Sequence, residues 1–308
     1  MILEGSALVP GACGELVQGT LQGTNFLVSC PVNRYSRVTV RLGHKLKDAY
    51  PAKRLKTYQA VRRMLELKGL AGYGVVLETV SELPMGKGMA SSTADIAAAC
   101  FAVAAALGSK PDPDWIATVA LGIEPSDSVF FPGIVLFDHV RGNLYELLGE
   151  PFPLGILALD FGGVVNTEEF NRRLDLPSRN RANEHAVGQA LNLVKAGIAR
   201  KDALLVGRGA SLSALVNQSI LPKPRLEELI DFTSRHGGYG VNVAHSGTVA
   251  GMLFPPGLER DSFLLSCLVK CFPEVKASYP LRLVGGGPRY PGMIRLEGGE
   301  HREASTRG

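Results

Sequence analysis

The sequence is 308 residues long, with 45% hydrophobic and 20% charged residues. This length is enough for about two domains with their own apolar cores. The net charge is only +4, because 33 Lys and Arg residues stand against 29 Asp and Glu residues, and this balance argues against a nucleic-acid partner. Five cysteines, mostly far apart, favour a reducing compartment over a disulfide framework. We see no signal peptide and no apolar run of bilayer length, so we expect a cytoplasmic protein without a membrane partner.

The first half of the chain predicts an α+β domain. Short β-branched runs that end at Gly, Pro or polar residues predict four strands: ALVPG, NFLVSCPV, RVTVRL and GVVLETV. The helical spacing of apolar residues predicts a helix from Thr57 to Lys68 and a second from Ser92 to Leu107. A third helix is expected after Pro113.

The second half has a pattern typical of an α/β sandwich. GILALD predicts a strand, and three helical patterns follow between Arg179 and His236. The segment GGYGVNVAHSGTVAGMLF predicts two strands around a polar turn. A helix within Pro255 to Cys271 and a strand at LRLVGGGP complete the chain. We therefore expect two domains, residues 1–155 and residues 156–308.

The stretch PMGKGMASSTAD, residues 84–95, lies between a predicted strand and a predicted helix. Gly86 and Gly88 allow backbone amides to approach a ligand closely, and the start of a helix attracts phosphate. Lys87 adds a positive charge, and a serine hydroxyl can bind Mg²⁺. A glycine turn followed by a serine cap explains the same residues, and the Walker A pattern does not fit because Gly88 stands where Ser or Thr is required. Composition alone leaves the phosphate loop and the helix cap both open.

The full pattern Pro-x-Gly-x-Gly-apolar-x-Ser-Ser-x-Ala resembles the second signature of the GHMP kinases, the superfamily of galactokinase, homoserine kinase, mevalonate kinase and phosphomevalonate kinase. In that family the loop wraps the phosphates of ATP and its second serine binds Mg²⁺, which implies this role for Ser92. The chain departs from the family at Met89 and Ala90, where leucine and glycine are usual. The resemblance implies ATP and Mg²⁺ as cofactors. It implies a nucleotide loop made of Pro84, Met85, Gly86, Lys87, Gly88, Met89, Ala90, Ser91 and Ser92.

Two further stretches resemble other signatures of the same family. PGACGELVQG, residues 10–19, resembles the first signature, which meets the phosphoacceptor, although a tight turn between two strands explains it too. VAHSGTVAG, residues 243–251, resembles the third signature, a loop that supports the nucleotide loop, although a polar turn is a comparable explanation. The resemblance implies acceptor contacts at Cys13, Gly14, Glu15, Gln18, His245, Ser246, Gly247 and Thr248.

The loop LGIEPSDSVFFPG carries two carboxylates, Glu124 and Asp127. Paired carboxylates suit magnesium binding and activation of a hydroxyl, but two exposed acids in a turn are an ordinary alternative. The resemblance implies that Asp127 faces the attacking hydroxyl and that Glu124 binds the metal. Mevalonate kinases place a lysine beside this aspartate, where the chain has Ala12, so Asp127 lacks the partner that it has in those enzymes.

The combination of these stretches looks like the L-threonine kinase branch of the superfamily, which makes O-phospho-L-threonine for the aminopropanol arm of cobalamin. This likeness implies the two-domain GHMP kinase fold, in which a ribosomal protein S5 domain 2-like N-terminal domain precedes a ferredoxin-like α/β-sandwich domain. It also implies that DFGGVVNTEEFN lies near the amino acid, with Asn166 and Thr167 as polar contacts. The protein would act as a monomer or a homodimer.

The expected chemistry is attack of the threonine hydroxyl on the γ-phosphorus of ATP, with Lys87, Ser92 and Asp127 as catalytic residues. The signatures do not separate threonine from serine, homoserine or mevalonate as the acceptor. A catalytically silent nucleotide-binding protein with the same fold is a second alternative. An RNA-binding module is a third, and the small net charge argues against it.

Overall fold

The structure is a computed structural model that describes residues 1–110, 112–165, 170 and 172–291. These residues form one nine-stranded sheet with α-helices packed against it. The strands are β1 Leu3–Leu21, β2 Thr24–Gly43, β3 Gly74–Ser81, β4 Ile134–Phe137, β5 Tyr145–Gly149, β6 Gly155–Asp160, β7 Gly240–Val243, β8 Val249–Phe254 and β9 Ala277–Arg282. The helices are α1 Leu55–Leu67, α2 Ser91–Ala106, α3 Pro113–Leu121, α4 Leu176–Arg200, α5 Ala203–Asn217, α6 Leu226–Arg235 and α7 Ser262–Cys271. In the part of the chain that is described, every helix is too short or too polar to cross a membrane.

The sheet runs in the order β5-β4-β2-β1-β7-β8-β6-β9, and β3 pairs with the second half of β2. Its strand pairs are antiparallel. β1 loses its regular register with β2 between Pro10 and Val17. Such irregularities bend a strand and redirect its side chains, and this irregular section is the stretch that faces the cleft described below.

The named strands of the two halves pair at Glu15 of β1 opposite Val243 of β7, and isolated bridges such as Leu8 to Arg289 and Val32 to Leu283 also join the halves. The core also crosses this border, since Leu16 of β1 shares one hydrophobic cluster with Val187 of α4 and Val206 of α5. The proposed division near residue 155 stays a prediction; β6 begins at that residue. Glu15 therefore lies where the two halves are held together.

Helix α2 is the central helix of the first half. Its residues 93–104 are buried, and half of them are alanine. Small side chains let the helix lie directly on β1: a Cβ added to Gly5 would stand 2.2 Å from the carbonyl oxygen of Ala102. This close packing fixes the N-terminus of α2 at the junction of the two halves.

The structure confirms the predicted helices and most of the predicted strands. Four features differ. PGACGELVQG, for which a tight turn was one explanation, is part of a continuous, irregular strand β1. NFLVSCPV and RVTVRL, predicted as two strands, form the single strand β2. β4 and β5 were not predicted, and β9 begins before the predicted strand LRLVGGGP. The strand β5 is exposed at the sheet edge, so it lacks the apolar alternation that marks a half-buried strand.

Candidate functional site

A cleft opens where the two halves meet. Its walls come from β1, from the loop before α2 and the first turn of that helix, from the loop after α3, and from the turn between β7 and β8. The lining residues are Glu15, Leu27, Gly86, Gly88, Met89, Ala90, Ser91, Ser92, Thr93, Glu124, Pro125, Ser126, Asp127, His139, His245 and Ser246. Candidate residues from every predicted signature thus share one cleft.

The loop before α2 has a left-handed backbone at every second residue. The φ angles are +71° at Gly86, +83° at Gly88 and +54° at Ala90. Ala90 is the N-cap of α2, and no side chain caps the helix. Of the two interpretations of this stretch, the serine cap is wrong, because both serines lie inside the first turn. The helix presents backbone N–H groups and the positive end of its dipole, which is the arrangement that attracts a phosphate.

Backbone contacts hold this loop from both sides. The Gly14 N–H donates to the carbonyl of Gly88 at 3.2 Å, and the Thr248 N–H donates to the carbonyl of Lys87 at 3.0 Å. A Cβ on Gly247 would stand 2.3 Å from the amide nitrogen of Gly88. The turn between β7 and β8 is thus packed directly against the loop, and Gly14 and Gly247 have backbone roles.

The side chain of Lys87 points to the border between the halves. Its Nζ lies 2.9 Å from Asp160 Oδ2 and donates to the carbonyl of Gly163 at 2.7 Å. Asp160 also accepts from the Thr248 hydroxyl at 2.9 Å. Burial alone raises the pKa of Asp160, but these hydrogen bonds and the charge of Lys87 lower it below its usual value. A catalytic role for Lys87 stays a prediction, and it requires the ammonium group to leave Asp160.

Ser92, Glu124 and Lys56 form a chain of contacts in the cleft. The Ser92 hydroxyl donates to Glu124 Oε1, and Lys56 Nζ donates to Glu124 Oε2 at 2.6 Å. The Glu124 side chain is 12% exposed. A hydroxyl oxygen and a carboxylate oxygen therefore lie side by side beside the N-terminus of α2.

Glu15, which is buried, and Asp127, which is half-buried, form a carboxyl pair in which each group shifts the pKa of the other. Burial raises the pKa of Glu15 well above its usual value, and the charge of Asp127 raises it further. Burial also raises the pKa of Asp127, against the hydrogen bonds from Glu15 and Thr93. Two such carboxyls do not both ionise, and the stronger rise in the pKa of Glu15 favours Glu15 as the group that keeps the proton. The Asp127 N–H donates to Thr93 Oγ1 at 3.2 Å, which fixes the loop to α2.

Gln18 and two histidines form the inner wall. Gln18 Nε2 donates to the carbonyl of Val243 at 3.3 Å, so Gln18 Oε1 accepts from Nδ1 of His245 at 3.0 Å. This network assigns the His245 proton to Nδ1 and leaves Nε2 as an acceptor. Burial lowers the pKa of His139 to about 4. Burial, followed by the charges of His139 and Lys223, lowers the pKa of His245 well below its usual value. Both rings are therefore neutral at pH 7.

Two cations near the start of α1, Arg54 and Lys56, pair with carboxylates of the first half. They belong to the basic stretch of residues 41–63, for which the sequence leaves two interpretations, a contact with an anionic ligand or, more often for such a run, a solvated surface. Instead, Lys56 binds Glu124, and Arg54 Nη1 donates to the buried carboxylate of Asp95. A signal exists in the sequence, because Asp95 lies in an alanine-rich helix and a buried carboxylate requires a partner.

Some predicted acceptor contacts lie away from the cleft wall. The thiol of Cys13 is buried in the core, where burial and the nearby Glu15 raise its pKa to about 12. The Thr248 hydroxyl is engaged by Asp160. Asn166 and Thr167 lie outside the described residues.

The residues in the cleft suit a nucleotide with a divalent cation. Mg²⁺ prefers oxygen ligands and takes one or two from the protein, with phosphates and water completing its shell. Ser92 and Glu124 offer one hydroxyl and one carboxylate. Among the described residues no group of three or more His, Cys, Asp or Glu side chains could hold a metal ion.

Two family models match the chain. The GHMP kinases N terminal domain matches residues 55–131, and the GHMP kinases C terminal domain matches residues 194–267. The L-threonine kinase of Salmonella typhimurium is 35% identical over 80% of this chain and 82% of its own length. The L-threonine kinase of Citrobacter freundii is 36% identical over 91% of this chain and 98% of its own length.

Solved structures share the fold at lower identity. A homoserine kinase from Cytophaga hutchinsonii superposes with a TM-score of 0.68 at 18% identity, covering 93% of this chain and 96% of that one. An L. major mevalonate kinase in complex with R-mevalonate superposes with a TM-score of 0.63 at 15% identity, covering 93% and 97%. Likeness at these identities shows the architecture and leaves the acceptor to be argued from the site.

Proposed function

Because the chain belongs to the GHMP kinase family, we propose that it is an L-threonine kinase, which transfers the γ-phosphoryl group of ATP to the side-chain hydroxyl of L-threonine. The observation that carries this proposal is the 36% identity with the Citrobacter freundii L-threonine kinase over 91% of this chain. The cleft supports it, since a helix N-terminus suited to phosphate lies beside a carboxyl pair suited to a hydroxyl.

The end of the cleft that is lined by Gly86, Gly88, Ser91, Ser92 and Glu124, here called the nucleotide end, positions the transferred group. The N–H groups at the start of α2 bind phosphate oxygens, and the loop glycines let the backbone approach them. Ser92 and Glu124 would hold Mg²⁺, which neutralises negative charge on the transferring phosphoryl group when it is bound. Lys56, which already contacts Glu124 at 2.6 Å, adds a positive charge at the same place. Positioning and charge neutralisation supply most of the catalysis in phosphoryl transfer.

The carboxyl pair acts on the acceptor. Asp127 accepts a hydrogen bond from the threonine hydroxyl and takes its proton as the oxygen bonds to the γ-phosphorus, while the bond to the β-phosphate oxygen breaks and ADP leaves. The raised pKa of Asp127, caused first by burial, makes it a stronger base than an exposed aspartate. This chain has Ala12 where mevalonate kinases place a lysine beside the aspartate, and Glu15 is the group that interacts with Asp127 instead.

We extend the proposal to the role of the product. O-phospho-L-threonine would serve the aminopropanol arm of cobalamin synthesis, as the sequence resemblance implies. The free cysteines suit a reducing compartment, so we place the enzyme in the cytoplasm. We propose that residues 1–155 and 156–308 act as two domains around the cleft, in a monomer or a homodimer.

The test is an ADP-release assay with ATP and Mg²⁺ across L-threonine, L-serine, L-homoserine and mevalonate, with the phosphorylated product identified by mass. We expect the highest kcat/KM with L-threonine. A higher kcat/KM with another acceptor would reject L-threonine as the substrate but would still support a kinase. Absence of ADP release with all four acceptors would reject the proposed function.

A further inference from the structure

We call the end of the cleft lined by Glu15, Asp127, His139 and His245 the acceptor end. A buried lysine without a partner lies behind it. Lys223 is 5% exposed, and its Nζ makes no hydrogen bond to any residue that the structure describes. Burial lowers the pKa of Lys223 to about 8. An ammonium group buried without a partner destabilises a fold, so a purely structural position would favour an apolar side chain. The lysine therefore indicates an anion that is not part of the described chain.

The loop that carries Lys223 is held rigidly. The Lys223 N–H donates to Gln218 Oε1 at 2.6 Å, and Gln218 Nε2 donates back to the Lys223 carbonyl at 3.1 Å. Pro222 and Pro224 flank the lysine and restrict the backbone on both sides. The ammonium group is thus presented from a fixed base, as a binding group needs to be.

Asn217, the last residue of α5, adds a second unpaired donor. It is 4% exposed, and its Nδ2 has no hydrogen-bond partner in the described part of the chain. Ser213 lies four residues earlier on the same face of α5, and its hydroxyl accepts the Gln18 N–H at 3.1 Å. This face of the helix therefore lies against the part of β1 that holds His245 on the cleft wall.

The charge of Lys223 reaches the same wall. It is one of the causes, after burial and His139, that lower the pKa of His245, and His245 lines the cleft together with Asp127. Along β1, the three residues from Glu15 to Gln18 span only about 10 Å. Asn217 and Lys223 are not among the residues that line the cleft, but α5 contacts β1 at Gln18. The distance along β1 from that contact to the carboxyl pair is close to the reach of one amino acid and its hydrogen bonds.

We propose that Lys223 and Asn217 bind the α-carboxylate of the amino-acid acceptor while its hydroxyl lies at Asp127. This inference rests on the proposed function, since it requires an amino-acid acceptor. A carboxylate satisfies both unpaired donors and compensates the buried charge through a charge-assisted hydrogen bond. The pair also selects against small alcohols that lack a carboxylate, because these leave the buried lysine unpaired.

The test compares L-threonine with L-threoninamide, which keeps the hydroxyl and replaces the carboxylate by a neutral amide. In the wild type, kcat/KM for L-threonine exceeds that for the amide. In Lys223→Met, the KM for L-threonine rises about 30- to 100-fold, as expected when a buried charge pair loses one partner. The preference for L-threonine over the amide disappears, and the KM for ATP does not change. Lys270→Met, an exposed position on α7, is the matched control and keeps wild-type values.

A structural role predicts different results. Lys223→Met removes a buried unpaired charge, so we expect its melting temperature to equal or exceed that of the wild type. The inference is overturned if an active Lys223→Met enzyme keeps the wild-type preference for L-threonine. Equal losses of kcat/KM with L-threonine and with L-threoninamide give that result. If that variant does not fold, Asn217→Asp carries the test, because its negative charge repels the carboxylate but not the amide. A wild type that phosphorylates no amino acid rejects the proposed function instead, which separates the two failures.

Discussion

The two ends of the cleft differ in how their polar groups are satisfied. At the nucleotide end, Ser92 binds Glu124, Glu124 also binds Lys56, and Lys87 binds Asp160. At the acceptor end, three buried nitrogens make no hydrogen bond among the described residues. They are His139 Nδ1, Asn217 Nδ2 and Lys223 Nζ.

This difference indicates two modes of binding. Ligands at the nucleotide end must replace contacts that the chain makes with itself, so Ser92 and Glu124 exchange one partner for another. The acceptor end is built with donors in place, and the acceptor compensates groups that the fold alone leaves unpaired. Changes at the nucleotide end should therefore affect turnover more than folding, whereas changes at the acceptor end should affect stability as well.

The largest effect is expected for Ser92→Ala. The variant removes the hydroxyl that pairs with Glu124 and would bind Mg²⁺, and a lost metal contact of several kcal/mol corresponds to a fall of about 10²–10³-fold in kcat. Its melting temperature should stay close to that of the wild type, because the hydroxyl does not cap α2. Steady-state kinetics with L-threonine measure the effect. Ser109→Ala, just beyond the other end of α2, is the control. If Ser92→Ala has the same activity as the wild type, Ser92 does not bind the metal.

Asp127→Asn should reduce kcat by about 10²-fold, at the lower end of the contribution of a general base. The matched variant is Glu15→Gln, which keeps a neutral hydrogen-bond donor beside Asp127 and should lose much less activity. If both variants lose the same activity, the proton is not held by Glu15. Near-normal turnover in Asp127→Asn would mean that the hydroxyl needs no side-chain base.

Acid should destabilise the acceptor end through its neutral histidines. His139 has a pKa lowered by burial from 6.5 to about 4, so between these values the unfolded chain binds a proton that the folded chain does not. Stability is therefore lost as the pH falls through this range, by about 2 kcal/mol between pH 7 and pH 5 from this residue.

Urea unfolding of the wild type and of His139→Phe, each at pH 7 and at pH 5, isolates the contribution of His139 to stability. The raised pKa values of Glu15 and Asp127 act in the opposite direction, but they are common to both proteins and cancel in the comparison. We expect the variant to lose less free energy of unfolding between pH 7 and pH 5 than the wild type. Equal losses would mean that folding does not lower the pKa of His139.

Much of the nucleotide end could be predicted from the sequence, because its residues are contiguous. The glycines, the serines and the start of α2 lie within residues 84–95, where local backbone preferences decide the structure. The acceptor end could not be predicted in this way. Lys223 and Asn217 reach it from the end of α5, over 200 residues after Glu15, and their unpaired state depends on packing that no local pattern records.

The same contrast explains the errors in the predicted fold. PGACGELVQG contains three glycines, which suggest a turn, but its pairing with β2 and β7 makes it an irregular strand. Lys56 and Arg54 resemble surface charges because their partners, Glu124 and Asp95, are distant in sequence. Long-range pairing overrides local propensity in each case.

The smallest effect is expected for Ala90→Gly, and it concerns strain at the nucleotide end. Ala90 caps α2 with φ at +54°, a left-handed conformation that is unfavourable for a residue with a Cβ. Glycine should relieve this strain and raise the free energy of unfolding by about 1 kcal/mol, after the greater entropy of its unfolded chain is included. Ala94→Gly, one turn into the helix, should instead lower it by a similar amount. Ala94 is buried and Ala90 is half-buried, so lost packing adds to the cost at Ala94, whereas a gain in the free energy of unfolding in Ala90→Gly can come only from the backbone conformation. Loss of stability in both variants would show that Ala90 is unstrained, and a lower KM for ATP in Ala90→Gly would show that its methyl group restricts the phosphate as well.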